Sequence, residues 1–343
     1  MLFHRMVSRD IRTNLATENY LMTHYQIDEP ILLMYIQAPS LIIGRHQNIY
    51  DEINLSAAEA DDVTITRRLS GGGAVYDDLG NISFGFVVDK SKVVFGDYVS
   101  IVEPIVKALK EMGVKDAKVN GRNDILIGDK KISGNAMYTK KNRMFSHGTL
   151  LHDVDLEKLP RYLNVSKEKL ASKHIQSVSS RVTNIKPYLD REYQELSTEA
   201  FRDELIKKIY GVPDLSNIAE KELFLTPHEE LEIAKSVDTI YGNQEWVFGH
   251  HQPYTTKQKA YIPSVGLLEA RFQLKEGRIH LIYFLGDFFN QTELIGLRQI
   301  LEGVYLTKRD VEKALETVDI QQYFANLTNE DFISFLVGEK NND

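Results

Sequence analysis

The 343-residue sequence contains no cysteine. That absence excludes a disulfide framework, a thiolate metal site and an iron–sulfur cluster. It also excludes any thioester intermediate on the protein itself. No apolar run approaches the roughly 20 residues that span a bilayer, so no membrane role is expected. The opening MLFHRMVSRD lacks the apolar stretch of a secretion signal, and a cytoplasmic protein is predicted. Positive charge is not in excess: 41 Lys+Arg against 49 Asp+Glu give a formal charge of −8, a poor basis for a general nucleic-acid coat. Neither G-x-x-x-x-G-K-[ST] nor G-x-G-x-x-G occurs, which removes the P-loop and Rossmann routes to a nucleotide. H-E-x-x-H is absent as well, and His250-His251 has no third ligand at useful spacing.

The composition that remains, 43% hydrophobic and 26% charged, supports a packed core. At roughly 150 residues per domain the length suggests two domains. Helical spacing covers 11–24, with Ile11, Leu15, Ala16, Asn19 and Met22 on one side. Strands are predicted at Ile31–Ile36, Leu41–Ile43, Thr64–Leu69 and Ile82–Val88. Ser100 and Glu103 have capping-box spacing ahead of a helix that Gly113 ends. Short strands should follow over 117–151, mostly helical chain over 155–241, a linker at 242–256, a hairpin from Leu267–Gln273 and Ile279–Phe284, and helices near 291–303, 308–316 and 329–337. Strands and helices come in blocks, which favours an α+β class over a doubly wound sheet.

Two local clusters carry chemistry. In Arg67-Arg68-Leu69-Ser70-Gly71-Gly72-Gly73-Ala74-Val75-Tyr76, three adjacent glycines let the main chain approach a ligand and aim several N–H groups at one anion. The two arginines add fork-shaped donors for phosphate or carboxylate. A tight hairpin with solvated arginines is the alternative. In Asn120–Asp124 and Gly128–Ala136, an apolar strand and its return would place Asp124 and Lys131 near each other. A carboxylate able to hold Mg²⁺ beside an ammonium able to meet phosphate suits a nucleotide site, while a surface salt bridge accounts for the same pattern. His147 beside Gly148 in a strand-like run reads on its own more readily as a satisfied structural histidine than as a catalyst.

Taken together, Gly44–Asn48, Arg67–Tyr76 continuing through Asp78-Leu79-Gly80-Asn81, Asn120–Asp124, Lys131–Gly134 and His147–Leu151 resemble lipoate–protein ligase A, in that family's order and across the N-terminal two thirds. The tail after about residue 250 is similar to the accessory domain of the two-domain members. The resemblance implies an α+β catalytic domain like those of class II aminoacyl-tRNA synthetases and biotin–protein ligases, over 1–245, with a smaller α+β domain over 255–343. It implies that lipoate and MgATP give lipoyl-AMP and pyrophosphate. The lipoyl group would then pass to a lysine of an apo lipoyl domain, in a 2-oxoacid dehydrogenase E2 subunit, or of a glycine-cleavage H protein. Octanoate is the alternative acid, and no tightly bound organic cofactor is implied. Position by position, it implies ATP contacts at Arg68, Gly73, Ala74, Val75, Tyr76, Asn81 and Lys131. It implies lipoate contacts at Lys131, Gly72, Gly73 and His147, a catalytic role for Lys131, and metal binding at Asp124.

Three rivals remain. Transferases of the same fold use a cysteine that this chain lacks, and biotin ligases carry a G-R-G-R-type loop that is also missing. A binding protein that keeps the pocket would release no pyrophosphate.

Overall fold

A computed structural model describes residues 1–25, 29–120, 123–164, 181–249 and 254–338. Gly121, Arg122 and the His250-His251 pair lie outside the described residues.

The central feature is a seven-stranded mixed sheet in the order β1-β2-β6-β10-β9-β8-β7. Its strands are β1 (Leu2–Arg5), β2 (Ile31–Tyr35), β6 (Asn81–Asp89), β7 (Ala117–Asn120), β8 (Asp124–Ile127), β9 (Lys130–Lys140) and β10 (Arg143–Leu151). β1 and β2 run parallel and the other neighbours antiparallel. A small sheet of β3 (Ser40–Ile43), β4 (Thr64–Arg67) and β5 (Val75–Asp77), in the order β4-β3-β5, stands beside it.

Alternation along the strands sorts the residues onto two faces. Leu32 and Met34 of β2, with Phe84 and Phe86 of β6, pack into a core shared with the helices Tyr98–Glu111 and Thr198–Tyr210. Ile31, Leu33 and Tyr35 of β2 turn the other way, towards the helix Ile11–His24. A strand buried on both sides needs an unbroken apolar run, and Ile-Leu-Leu-Met-Tyr supplies it. On that second face, β6, β9 and β10 present Ser83, Gly85, Gly134, Ala136, His147 and Thr149, and there the apolar packing gives way to a cavity.

Two expected boundaries differ. The helix expected at Ser100 begins at Tyr98 because Asp97 is its cap, its carboxylate accepting from Ser100 N, so Pro104 lies inside the helix rather than in its first turn. The segment expected as a linker contains a helix, Gln244–Phe248, fixed by Asn243 as its cap. Its carbonyls are engaged by Arg67, which a pattern search for apolar periodicity has no means of detecting.

After Thr256 the chain builds its own core. A three-stranded antiparallel sheet, β11 (Thr256–Ile262), β12 (Gly266–Lys275) and β13 (Arg278–Gly286), packs on the helices Leu294–Leu301, Lys308–Ala314 and Asn329–Val337 around Phe284, Phe288, Phe324 and Phe332. β11 is a strand beyond the expected hairpin.

This C-terminal unit rests on two loops of the larger one. Gly286 N donates to His46 O (2.9 Å), Arg45 pairs with Glu293 (2.7 Å), and His46 stacks on Phe288 at 4.6 Å. His46 Nε2 meets Asn290 Oδ1 (2.9 Å), and burial lowers its pKa to about 3, so the ring stays neutral. The Phe288 carbonyl lies where a Cβ on Gly71 would be, 2.1 Å from it. Gly71→Ala should therefore push the C-terminal unit off the glycine loop without unfolding either core. Small-angle scattering is expected to show a larger radius of gyration, with an unchanged far-ultraviolet circular dichroism spectrum.

Candidate active site

The cavity on the second sheet face lies between β6, β9, β10 and the small sheet, with the helix Ile11–His24 contributing Leu15. Its cavity volume is about 120 Å³. Of the residues expected for the site, Arg68, Gly72, Gly73, Ala74, Val75, Lys131 and His147 line it together. A larger, open crevice of about 480 Å³ lies between Arg45–Asn48, Trp246–Gly249 and Arg271, and it holds none of those residues.

Lys131 reaches the cavity through a register slip. Asp124 pairs with Gly134 and Ile125 with Ser133, but Leu126 pairs with Lys131, leaving Ile132 as an extra residue in β9. A one-residue slip exchanges the faces of every side chain beyond it. Lys131 is thereby moved to the face of Asp124, and Ile132 drops into the main core. The ammonium then lies 2.8 Å from Asp124 Oδ1. Gly134 makes room, since a Cβ there would meet Lys131 Nζ at 2.6 Å. Arg181 pairs with Asp124 Oδ2, brought in by a short parallel bridge in which Lys131 N donates to Arg181 O (2.8 Å). Asp124 thus holds two cations, and among the described residues it joins no cluster of three or more metal-ligating side chains.

The glycine loop is held from beneath. Arg68 Nη2 donates to Gly71 O (2.8 Å) and Gly73 O (2.7 Å), Nη1 to Ile42 O (3.2 Å) and Nε to Ser70 Oγ (3.1 Å). Burial lowers its pKa to about 10, which leaves it charged at any physiological pH. Arg68 shapes the loop while also bordering the cavity. Gly72 has φ +91°, a conformation that other residues rarely adopt.

Behind the loop runs a buried chain of hydrogen bonds. Tyr35 donates to Glu18 Oε1 (2.7 Å), and Glu18 Oε2 lies 3.1 Å from His147 Nδ1. A carboxylate only accepts, so Nδ1 carries the proton, and Nε2 accepts from the Ser70 hydroxyl at 2.6 Å. The Ser–His–Glu order is that of a hydrolase triad. Yet Ser70 is 0% exposed, is not among the lining residues and is also engaged by Arg68. It acts as a link between His147 and the loop, not as a nucleophile. Glu18 and Ser70 had no sequence signal of their own; a glutamate on a buried helix face was the available clue.

Tyr76 and Asn81 are placed differently from the cavity residues. The Tyr76 ring packs 5.1 Å from Tyr162 in the core below the small sheet, and burial raises its pKa. Asn81 is buried at the start of β6 and donates to Ser83 Oγ (3.2 Å). Any ligand contact from Tyr76 would come from its backbone, which continues the glycine loop.

Asp77, absent from the expected set, lines the cavity from the end of β5. Burial, with Asp78 adding to it, pushes its carboxyl up to about 7, although Arg68 and a hydrogen bond from Gln37 oppose the rise. The folded state therefore favours the protonated acid. Stability is full below the unfolded value of about 4 and is lost as pH rises through about 7. Asp77→Asn, which mimics the protonated form, should match the parent at pH 4 and exceed it at pH 8 by on the order of 2 kcal/mol in urea unfolding.

With this geometry in place, the chain can be set beside known proteins. Residues 10–210 match the family described as the lipoyl protein ligase A/B catalytic domain, and 251–336 the bacterial lipoate protein ligase C-terminus. The Bacillus subtilis lipoate-protein ligase LplJ is 37% identical over 328 residues, 95% of this chain and 97% of that one. The crystal structure of P. falciparum LipL1 in complex with lipoate shares the fold over 98% of this chain and 99% of that one, with TM-score 0.76 and 23% identity. A structure of lipoate-protein ligase A bound with ATP aligns over 73% of this chain and 99% of that one, at 26% identity and TM-score 0.59. By sequence and fold alike this chain belongs to the lipoate–protein ligase family.

Proposed function

We propose that this protein activates lipoate with ATP and transfers the lipoyl group to a lysine of an acceptor protein. In the first step a lipoate carboxylate oxygen attacks the α-phosphorus of ATP. An acyl–phosphate bond forms, and the bond to the departing pyrophosphate breaks. In the second step the acceptor's neutral lysine amine attacks the acyl carbonyl, an amide forms and AMP leaves. No protein nucleophile is needed, in keeping with the absence of cysteine.

The observation that carries this reading is the Lys131–Asp124 pair facing the glycine loop across one cavity. Attack of one anion on another is opposed by charge repulsion, and fixed donors aimed at the reacting centre relieve it without reorganising. Lys131 is assigned to the lipoate carboxylate and the α-phosphate, and the Gly72–Tyr76 backbone to the nucleotide. Arg68 is assigned to holding that backbone, and His147 to the lipoyl side of the slot. Asn81 is assigned a supporting role through Ser83.

Mg²⁺ would enter with ATP, neutralising phosphate charge. Asp124 is assigned to that metal; both of its oxygens pair with Lys131 and Arg181 in this structure, so the role requires one of them to be released. The acceptors are apo lipoyl domains of 2-oxoacid dehydrogenase E2 subunits or glycine-cleavage H protein. The separate core after Thr256 supports units at 1–245 and 255–343. Because the C-terminal unit packs against the glycine loop at Gly71, its movement between activation and transfer would reach the nucleotide site.

The test is the intact mass of an apo lipoyl domain incubated with the protein, MgATP and lipoate. A gain of one lipoyl group that disappears without ATP is expected; no gain together with no pyrophosphate release would overturn the reading. Lys131→Ala should slow pyrophosphate release by about 10² or more, as loss of one preorganised donor does.

A further inference from the structure

Asp77 is 1% exposed and lines the cavity, yet the two-step reaction gives it nothing to do. Its Oδ2 accepts from Gln37 Nε2 at 2.7 Å, and the same amide nitrogen lies 3.1 Å from Ser83 Oγ. Its Oδ1 has no hydrogen-bond partner among the described residues.

Strand register locates Ser83, which shares the Gln37 amide with Asp77, relative to Lys131. Ser83 stands opposite Thr149, and the Thr149 hydroxyl accepts from Gly134 N at 3.4 Å. Gly134 lies against the Lys131 ammonium. From Ser83 to Gly134 is two strand spacings, about 10 Å. The slot thus has an ammonium at one end and a carboxyl at the other, with Leu15, Ile42 and Val75 among its lining. An eight-carbon acid with its carboxylate at Lys131 would bring its far end to Asp77.

We propose that Asp77 is a specificity-determining residue of this slot, its carboxyl standing at the distal end of the acyl chain and favouring a chain that ends in a sulfur ring over one that ends in a methyl group. The inference rests on the acyl-activating reading of the site. Burial raises the carboxyl's pKa to about 7, so it is mostly protonated below neutral pH. Its O–H can then donate to a ring sulfur, a weak but polarisable acceptor. A methyl end leaves that donor unpaired in a closed site, and an unpaired buried polar group rejects a ligand more strongly than a small change in apolar area does. Arg68 faces the carboxyl from just past the end of β4, Tyr35 from β2 and Asp78 from the position after β5, beside the neutral Gln37 and Ser83. Ionisation removes the donor, so the preference weakens as pH rises past about 7.

The experiment measures kcat/KM for lipoate and for octanoate by pyrophosphate release, at pH 6 and pH 8.5, for the parent, Asp77→Asn and Asp77→Leu. The parent is expected to favour lipoate, several-fold more at pH 6 than at pH 8.5. Asp77→Leu should lower the lipoate-to-octanoate ratio about tenfold, mainly by gain on octanoate. Asp77→Asn keeps an N–H donor and should hold one ratio at both pH values. A ratio in Asp77→Leu within twofold of the parent would overturn the inference. Should that variant not fold, a parent ratio that is the same at both pH values would do so. A parent that activates neither acid would overturn the acyl-activating reading itself, and this inference with it. Unaltered ratios in an active parent and its variants would overturn the inference alone.

Discussion

Two adjacent buried arginines hold the site loops, and neither is neutralised by a carboxylate within ion-pairing distance among the described residues. Arg67 Nη1 donates to Gly44 O and Gln47 O, and its Nε and Nη2 reach the carbonyls of Trp246 and Val247. Arg68, pointing to the other side of the same chain, spends its donors on Ile42, Ser70, Gly71 and Gly73. Burying a guanidinium is costly unless its fork is filled, and removing one leaves several carbonyls unsatisfied at once. The loop conformations are therefore set before any ligand arrives. Preorganisation of this kind is what makes a fixed dipole effective against charge that develops in a transition state.

The same logic explains why the catalytic lysine sits on a bulged strand. A regular β9 would aim Lys131 at the apolar core and Ile132 at the cavity, and a charge in that core would find no partner. The extra residue exchanges the two, and Asp124 and the Arg181 segment then complete a charge cluster at the cavity wall. Asp124 keeps Lys131 and Arg181 close together despite their like charge. An incoming carboxylate and phosphate can then be met by cations that already occupy one place.

Much of this was legible in the sequence where the signal is local. The apolar run of β2, the glycine cluster after β4, the Gly128-Asp129 turn and the hairpin of β12 and β13 follow from alternation and turn chemistry, and the order of the motifs identified the family. The proximity of Asp124 and Lys131 was also anticipated, although simple hairpin pairing does not produce it; the bulge does. What escaped depends on partners distant in the chain. Glu18 is one of several buried residues on its helix, and only the arrival of His147 from 129 residues away gives it a function. The helix Gln244–Phe248 is short and has no apolar period, and its carbonyls matter because Arg67 needs acceptors. Asp97 took the cap expected of Ser100 because an aspartate one turn earlier offered an equally good acceptor, which a spacing rule does not rank.

The polar groups around the cavity divide into two sets with opposite demands. At the Lys131 end, charge must be permanent, because the carboxylate and phosphate it meets are permanently anionic. At the far end the groups beside Asp77 are a phenol, a hydroxyl and an amide, and the Arg68 guanidinium that faces it is spent on backbone carbonyls of the glycine loop. The desolvation that depresses the pKa of Arg68 also raises that of Asp77. A guanidinium starts from so high a pKa that it stays charged, whereas a carboxyl starts low enough to be brought to neutrality. One closed environment thus leaves a guanidinium charged and brings a carboxyl close to neutrality, and the residue type at each position decides which happens.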